Sequence, residues 1–195
     1  MAATCIFLPA TPNFSHSSRR RTSAAAFAIR SSLTGQSQSP AAAAKRNLLT
    51  LIAGQERGLK TQSNPQALSQ IIDAIDSLAA AGRGSVTTDE SLSDTWRLLW
   101  TTEKEQLFII KNAQIFGTAA GDVLQVIDVE KKTLNNVITF PPDGVFFVRS
   151  DIQVASAQRV NFQFETVYID DEIRVVKDIR KDYLVVERAP YSWKE

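Results

Sequence analysis

The sequence predicts a mainly β protein, an antiparallel sandwich or barrel preceded by two helices. Three observations lead there. Between Trp96 and Arg188 about nine short runs of β-branched and aromatic residues follow one another, with turn signals between them. One of these, Arg159 to Ile169, alternates: Val160, Phe162, Phe164, Thr166 and Tyr168 on one face, Asn161, Gln163, Glu165, Val167 and Ile169 on the other. Ahead of the strands, two segments repeat their apolar residues at helical spacing.

The first segment in chain order is expected to lie outside that fold. Residues 1–44 contain Arg19, Arg20, Arg21 and Arg30 but no Asp or Glu, and the first acid is Glu56. Twelve Ser or Thr lie between Met1 and Ser39. Basic, Ser-rich and acid-free composition marks an organelle-import peptide. A secretory signal would show one uninterrupted apolar block, and here arginines break it up. The opening Met-Ala-Ala-Thr and the Ser content favour plastid over mitochondrion; a disordered basic tail with another job is the remaining reading. Cleavage is expected between Ser31 and Lys45. The expected division is therefore a disordered import peptide at 1–44, a helical segment at 45–84 and a β domain at 85–195.

Lys45 to Gly58 is expected to form the first helix, with Leu48, Leu49, Leu51 and Ile52 as its apolar stripe. Asn64-Pro65 starts the second, because Asn caps free N–H groups and Pro is tolerated at the first helical position. Leu68, Ile71, Ile72, Ile75 and Leu78 continue it, and Gly82 ends it. The strands expected are Trp96–Thr101, with Trp96, Leu98 and Trp100 on one face, then 107–110, 123–129, 136–140, 145–148, 152–156, 159–169, 172–177 and 183–188. Pro141-Pro142-Asp143-Gly144 is a turn.

Composition excludes much chemistry. The only Cys, His and Met are Cys5, His16 and Met1, all inside the import segment. The remainder therefore lacks the parts of a Ser-His-Asp triad, a Cys-His pair or the usual zinc site. Gly82-Arg83-Gly84 follows a helix and lacks a third glycine, so it is no dinucleotide fingerprint. The import segment holds four of the 22 basic residues and none of the 21 acidic ones, so the remainder carries a net charge of −3. That disfavours nucleic acid as a partner. No run of 18 apolar residues is present. Asp170-Asp171-Glu172 reads as a solvated turn in preference to a catalytic or calcium cluster, since adjacent acids on a strand point to opposite faces. Arg159, Arg174 and Arg180 with Lys177 form either a basic rim for an anionic headgroup or an ordinary charged surface with cross-strand partners. Trp96, Leu98, Trp100, Phe162, Phe164 and Tyr168 line either a ligand cavity or a filled core.

Four runs together resemble the plastid-lipid-associated protein (plastid fibrillin) family, from about Lys45 to Arg188. They are Lys45-Arg46-Asn47-Leu48-Leu49, Trp96-Arg97-Leu98-Leu99-Trp100-Thr101, Gly121 to Asp128 with Val123, Gln125 and Ile127, and Tyr168 to Val175 followed by the Val-rich segment 183–188. The chain departs from the family pattern in having Asp94 where Gly is usual, Trp100 where Tyr is usual, and 176–181 without the usual glycines, which implies a divergent member. The resemblance implies a lipocalin-like antiparallel β-barrel and peripheral attachment to plastoglobules or thylakoids. It also implies a non-enzymatic role in binding or organising lipids or prenylquinones, with no cofactor, metal or catalytic residue. In that reading the six aromatic and apolar residues line a cavity, Arg159 and Arg174 meet a polar headgroup, and Leu48, Leu49 and Ile52 offer a helix face for surface attachment. That helix otherwise plugs one barrel end. The alternative is a packed-barrel interaction module that assists a plastid prenyl-lipid biosynthetic enzyme. A carboxylate enzyme on a barrel is the third reading.

Overall fold

The structure is a computed structural model and describes residues 4–9, 39–161 and 163–194. Among these residues, nine antiparallel strands form one curled sheet. The strands are β1 (Thr4–Pro9), β2 (Asp94–Thr101), β3 (Val123–Asp128), β4 (Thr133–Phe140), β5 (Gly144–Asp151), β6 (Arg159–Val160), β7 (Phe164–Ile169), β8 (Ile173–Asp178) and β9 (Tyr183–Arg188), in the order β1-β5-β4-β3-β2-β9-β8-β7-β6. Strand β1 falls in the segment expected to lie outside the fold, yet it pairs with β5 from Thr4–Arg149 to Pro9–Gly144. Helices α1 (Pro40–Ile52) and α2 (Pro65–Ala81) precede β2, and α3 (Lys104–Asn112) follows it. The result is a half-barrel of the lipocalin-like kind. The chain leaving β5 forms an isolated bridge to β6 at Val154–Val160, which curls that side of the sheet towards the other.

Helix α1 begins at Pro40, not at Lys45. Ser39 Oγ accepts from Ala42 N at 3.2 Å, and Pro40 sits at the first turn. This is the same start signal as Asn64-Pro65, whose Asn64 Oδ1 accepts from Ala67 N at 3.0 Å. The helix also ends sooner than the sequence suggests. Ala53 closes it and Gly54 takes φ +72°, a left-handed turn that continues no helix. Leu48 and Ile52 are buried, and with Ile71, Ile75 and Leu78 of α2 they pack on Trp100, Val167, Val175 and Val185. The expectation that Leu48, Leu49 and Ile52 offer an attachment face is thereby overturned, as is the expectation that α1 plugs the barrel. It lies along the outer wall. Lys45 fixes it there, with its Nζ 2.7 Å from Asp170 Oδ2 and 2.6 Å from Glu172 Oε2.

Residues 107–110 are helical, not a strand. A short run such as Leu-Phe-Ile-Ile cannot be assigned by periodicity alone. Here Glu105 in the first turn and Lys111 in the last suit the helix dipole, and Thr101 Oγ1 accepts from Glu103 N at 3.0 Å where β2 ends. Residues 152–156 form a single bridge in place of a strand, and the long segment 159–169 is broken into β6 and β7.

Two β-bulges decide which residues face inward. On β2, Leu98 pairs with Val186 but Trp100 pairs with Val185, so Leu99 is an extra residue. On β7, Thr166 pairs with Val176 but Tyr168 pairs with Val175, so Val167 is extra. A bulge resets the inside–outside alternation. Leu99 and Trp100, and likewise Val167 and Tyr168, therefore join the helix-side core. Helical-layer backbone approaches each bulged strand closely. A Cβ on Gly58 would lie 2.1 Å from Thr101 O, and one on Gly82 would lie 2.7 Å from Val167 O. The inner core is separate and comprises Trp96, Leu98, Val123, Ile127, Ile138, Val176, Leu184 and Val186, among others. A third cluster of Leu124, Val137 and Phe147 lies outside β3–β5, where Trp193 covers it.

Candidate functional site

The described residues leave the interior of the half-barrel unfilled. Alternation sends Val123, Gln125 and Ile127 of β3 inward, with Leu134, Asn136 and Ile138 of β4 and Arg174 and Val176 of β8. Side chains that point into a curled sheet converge but need not touch, and two adjoining chambers remain. The first, of about 210 Å³, runs along the β7–β8 side and is lined by Leu92, Leu134, Ile152, Val160, Phe164 and Arg174 among others. The second, of about 240 Å³, lies beneath α3 and is lined chiefly by Leu98, Ile109, Val123, Ile138, Phe146 and Val186. Glu103, Gln106, Gln125, Asn136 and Leu184 border both chambers. Ile109 and Phe146 also line a wider surface hollow of about 500 Å³ beside Phe140, Pro141 and Pro142, so the second chamber adjoins an outlet there.

Arg174 dominates the first chamber. It is 5% exposed, and its Nη2 donates to Gln125 Oε1. Gln125 is itself oriented by donating from Nε2 to Asn136 Oδ1 at 3.0 Å. The guanidinium carbon lies 5.5 Å from the centroid of the Trp96 ring. Burial alone pulls the Arg174 guanidinium down to about 9, and no carboxylate among the described residues offsets that loss of hydration. Among the described residues, two buried side-chain polar atoms lack a hydrogen-bond partner, Arg174 Nε and Gln106 Oε1, and both residues line this chamber.

The acids at the α3 end of the chamber are already engaged. Asp178 accepts from Arg180 Nε at 2.9 Å and from the Asp182 backbone N–H at 3.0 Å. Asp182 accepts from Thr102 Oγ1 at 2.9 Å. Glu103 accepts from Gln106 Nε2 at 2.5 Å. Burial, with repulsion from Asp182 and Asp178, pushes the Glu103 carboxyl up to about 7.

The sequence-predicted candidates divide. Leu98, Phe164 and Arg174 line the chambers. Trp96 faces inward but is fully buried in the wall, where its Nε1 donates to Leu92 O at 2.9 Å and Arg188 stacks 4.4 Å from its ring centroid. Trp100 and Tyr168 do not share that face, because the bulges turn them to the helices. Trp100 Nε1 donates to Thr61 Oγ1 at 3.3 Å, and Tyr168 OH to Asp170 Oδ2 at 2.9 Å. Phe162 lies outside the described residues. Arg159 is an exposed surface residue, 2.9 Å from Glu165 directly opposite it on β7. Arg180 and Lys177 are likewise paired, with Asp178 and Asp76, so these cations form no basic rim. Asp170 serves its own turn, accepting from the backbone N–H groups of Glu172 and Ile173, both at 2.8 Å.

Sequence reasoning missed Glu103 and Gln106, because 107–110 reads as a strand, and it missed Gln125 and Asn136. A signal existed for Gln125: it stands between Val123 and Ile127 on an inward face that is otherwise apolar. A polar residue at such a position either holds a partner or faces a cavity.

Comparison with known proteins places these features in context. A family model described as PAP_fibrillin matches residues 42–167. The chain is similar to "Probable plastid-lipid-associated protein 11, chloroplastic" of Arabidopsis thaliana, 58% identical over 198 residues that cover 90% of this chain and 92% of that protein. No solved structure matches the chain.

Proposed function

The chain belongs to the PAP_fibrillin family of plastid-lipid-associated proteins, and from that premise we propose that it is a non-enzymatic protein whose half-barrel takes up the apolar chain of a lipid or prenylquinone at a plastoglobule or thylakoid surface. Its localisation is the plastid, as the import-type segment leads one to expect. The departures at Asp94, Trp100 and 176–181 do not make it a divergent member at the identity found. The observation that carries the proposal is the apolar chamber under α3, about 240 Å³ in volume and adjoining an outlet at Ile109 and Phe146. Each methylene buried there contributes about 0.8 kcal/mol, so a chain of several carbons is held against its ordering cost. A filled interior, which the interaction-module reading requires, fits these chambers poorly.

Mass spectrometry of lipid co-purifying with the protein tests the proposal. We expect an acyl or prenyl lipid from the wild type. We expect little or none from Val148→Trp, whose indole would occupy the chamber that Val148 lines. Equal lipid content in both, or none in either, would refute chain burial at this place.

Contact with a lipid surface falls to the outlet end. Phe108 is 68% exposed and Ile115 is 76% exposed, both close in the chain to Ile109, which lines the outlet. Large exposed apolar side chains suit partial insertion among lipids. Phe108→Glu combined with Ile115→Glu is expected to reduce co-flotation with galactolipid vesicles at least about tenfold, the effect of moving two large apolar groups out of reach of the bilayer. Unchanged flotation would assign attachment elsewhere.

A further inference from the structure

We infer that the occupant of this barrel is an amphiphile with an acidic head, a carboxylate or a phosphate monoester, that docks on Arg174 while its tail lies in the chamber under α3. The inference rests on the reading of the barrel as a lipid holder and narrows the class of lipid.

The argument begins with charge. A guanidinium removed from water needs an opposite charge or a full set of acceptors, and leaving it without either is strongly unfavourable. Arg174 has one neutral acceptor, Gln125, and one aromatic face, Trp96. No acid among the described residues pairs with it. The second arginine at the same ring, Arg188, is by contrast neutralised by Asp94 and also donates to Ser91 O at 2.8 Å. Two arginines flank one indole, and only the one lining the chamber lacks its anion.

Geometry supplies the rest. Arg174 lines the chamber, and its Nε is buried without a partner. Gln125 is held by Asn136, and the Trp96 indole is held by Leu92, so the groups around the guanidinium are fixed before any ligand arrives. Preorganised donors bind an anion without an ordering cost at the moment of binding. A planar carboxylate or a phosphate can accept from two guanidinium nitrogens together. Gln125, Asn136 and Leu184 border both chambers, so a molecule with its head on Arg174 continues directly into the apolar space. A neutral quinone or alcohol can offer an acceptor oxygen but no charge.

The test compares fluorescent cis-parinaric acid with its methyl ester, titrated into the full chain above neutral pH, where the acid is ionised. The tails are identical and only the charge differs. The acid is expected to bind at least about tenfold more tightly, which is the scale of one charge-assisted interaction in a buried site. Arg174→Met should abolish that advantage while leaving ester binding within about twofold, and retained ester binding shows that the variant is folded. Equal affinity for acid and ester in the wild type overturns the acidic head but leaves chain burial standing. Failure of both to bind removes the lipid-holding reading itself, and the inference with it. An acid preference that survives Arg174→Met places the head elsewhere and overturns the assignment. Competition by geranylgeranyl monophosphate but not by oleate identifies a phosphate head, and the reverse a carboxylate; either supports the inference. Displacement by inorganic phosphate alone would make this a site for a small soluble anion and overturn it. If Arg174→Met does not fold, the wild-type ratio of acid to ester decides the matter.

Discussion

Gly58→Ala is expected to destabilise the protein by about 3 kcal/mol or more, enough to lower the melting temperature by roughly 10 °C in a chain of this size. Gly58 has φ +110°, a region that residues with a Cβ rarely enter. The added methyl would also stand 2.1 Å from Thr101 O, a backbone atom that cannot turn aside as a flexible side chain would. Relief requires the loop between α1 and α2 to lift off the end of β2. That movement breaks the bond from Thr101 N to Arg57 O at 3.1 Å and the chain from Trp100 Nε1 through Thr61 Oγ1 to Gly58 O. Gly54→Ala is the internal control. Its φ of +72° also disfavours alanine, but nothing lies within 4 Å of the added carbon, so about 1 kcal/mol is expected. Urea denaturation of the two variants checks the difference. Equal losses would mean that the approach of Gly58 to β2 contributes nothing beyond backbone preference.

The second large effect concerns pH. Glu103 lines both chambers, and its carboxyl is raised from an ordinary 4.5 to about 7 by burial, with Asp182 and Asp178 adding repulsion and Arg180 opposing them. A raised carboxyl pKa means that the folded state holds a proton that the unfolded chain has already released. Folding is therefore unaffected by this group below about pH 4.5, loses stability as pH rises towards 7, and stays at the lower level above it. The full span is about 3 kcal/mol. Glu103→Gln keeps an acceptor for Gln106 and removes the charge. The variant should be more stable than wild type at pH 8, equal to it near pH 4, and flatter between. Chemical denaturation across that range measures it. Parallel pH profiles for the two proteins would show that Glu103 is hydrated in the folded state.

How much of this was legible in the sequence depended on counting. Strands β2, β3, β8 and β9 follow from alternation and turn signals, and so does the barrel class. The face assignments of Trp100 and Tyr168 failed for a shared reason. Leu99 and Val167 are ordinary strand formers, and nothing in their chemistry marks them as the extra residue of a bulge. The extra residue becomes visible only from the partner strand, where Val185 and Val186, or Val175 and Val176, set the register. Helix α1 failed differently. The alanines at 41–44 suit an import peptide and a helix equally, so composition hid the Ser39-Pro40 start. Arg174 could be named as a candidate but not separated from Arg159. Both stand on β strands near acids in the sequence, and only the curl of the sheet sends one inward and leaves the other opposite Glu165.

The cover over the chambers has a further consequence, which concerns time. Helix α3 is nine residues long and buries one side chain completely, Leu107, whereas α2 buries Ile71, Ala74, Ile75 and Leu78 against the outer wall. Segments with few buried contacts open locally at a smaller free-energy cost than the whole fold. The wall and its cover thus run on separate clocks: in the proposed lipid-holding role a guest would come and go at the rate at which one lightly anchored helix lifts, while the sheet around it would persist through many such exchanges.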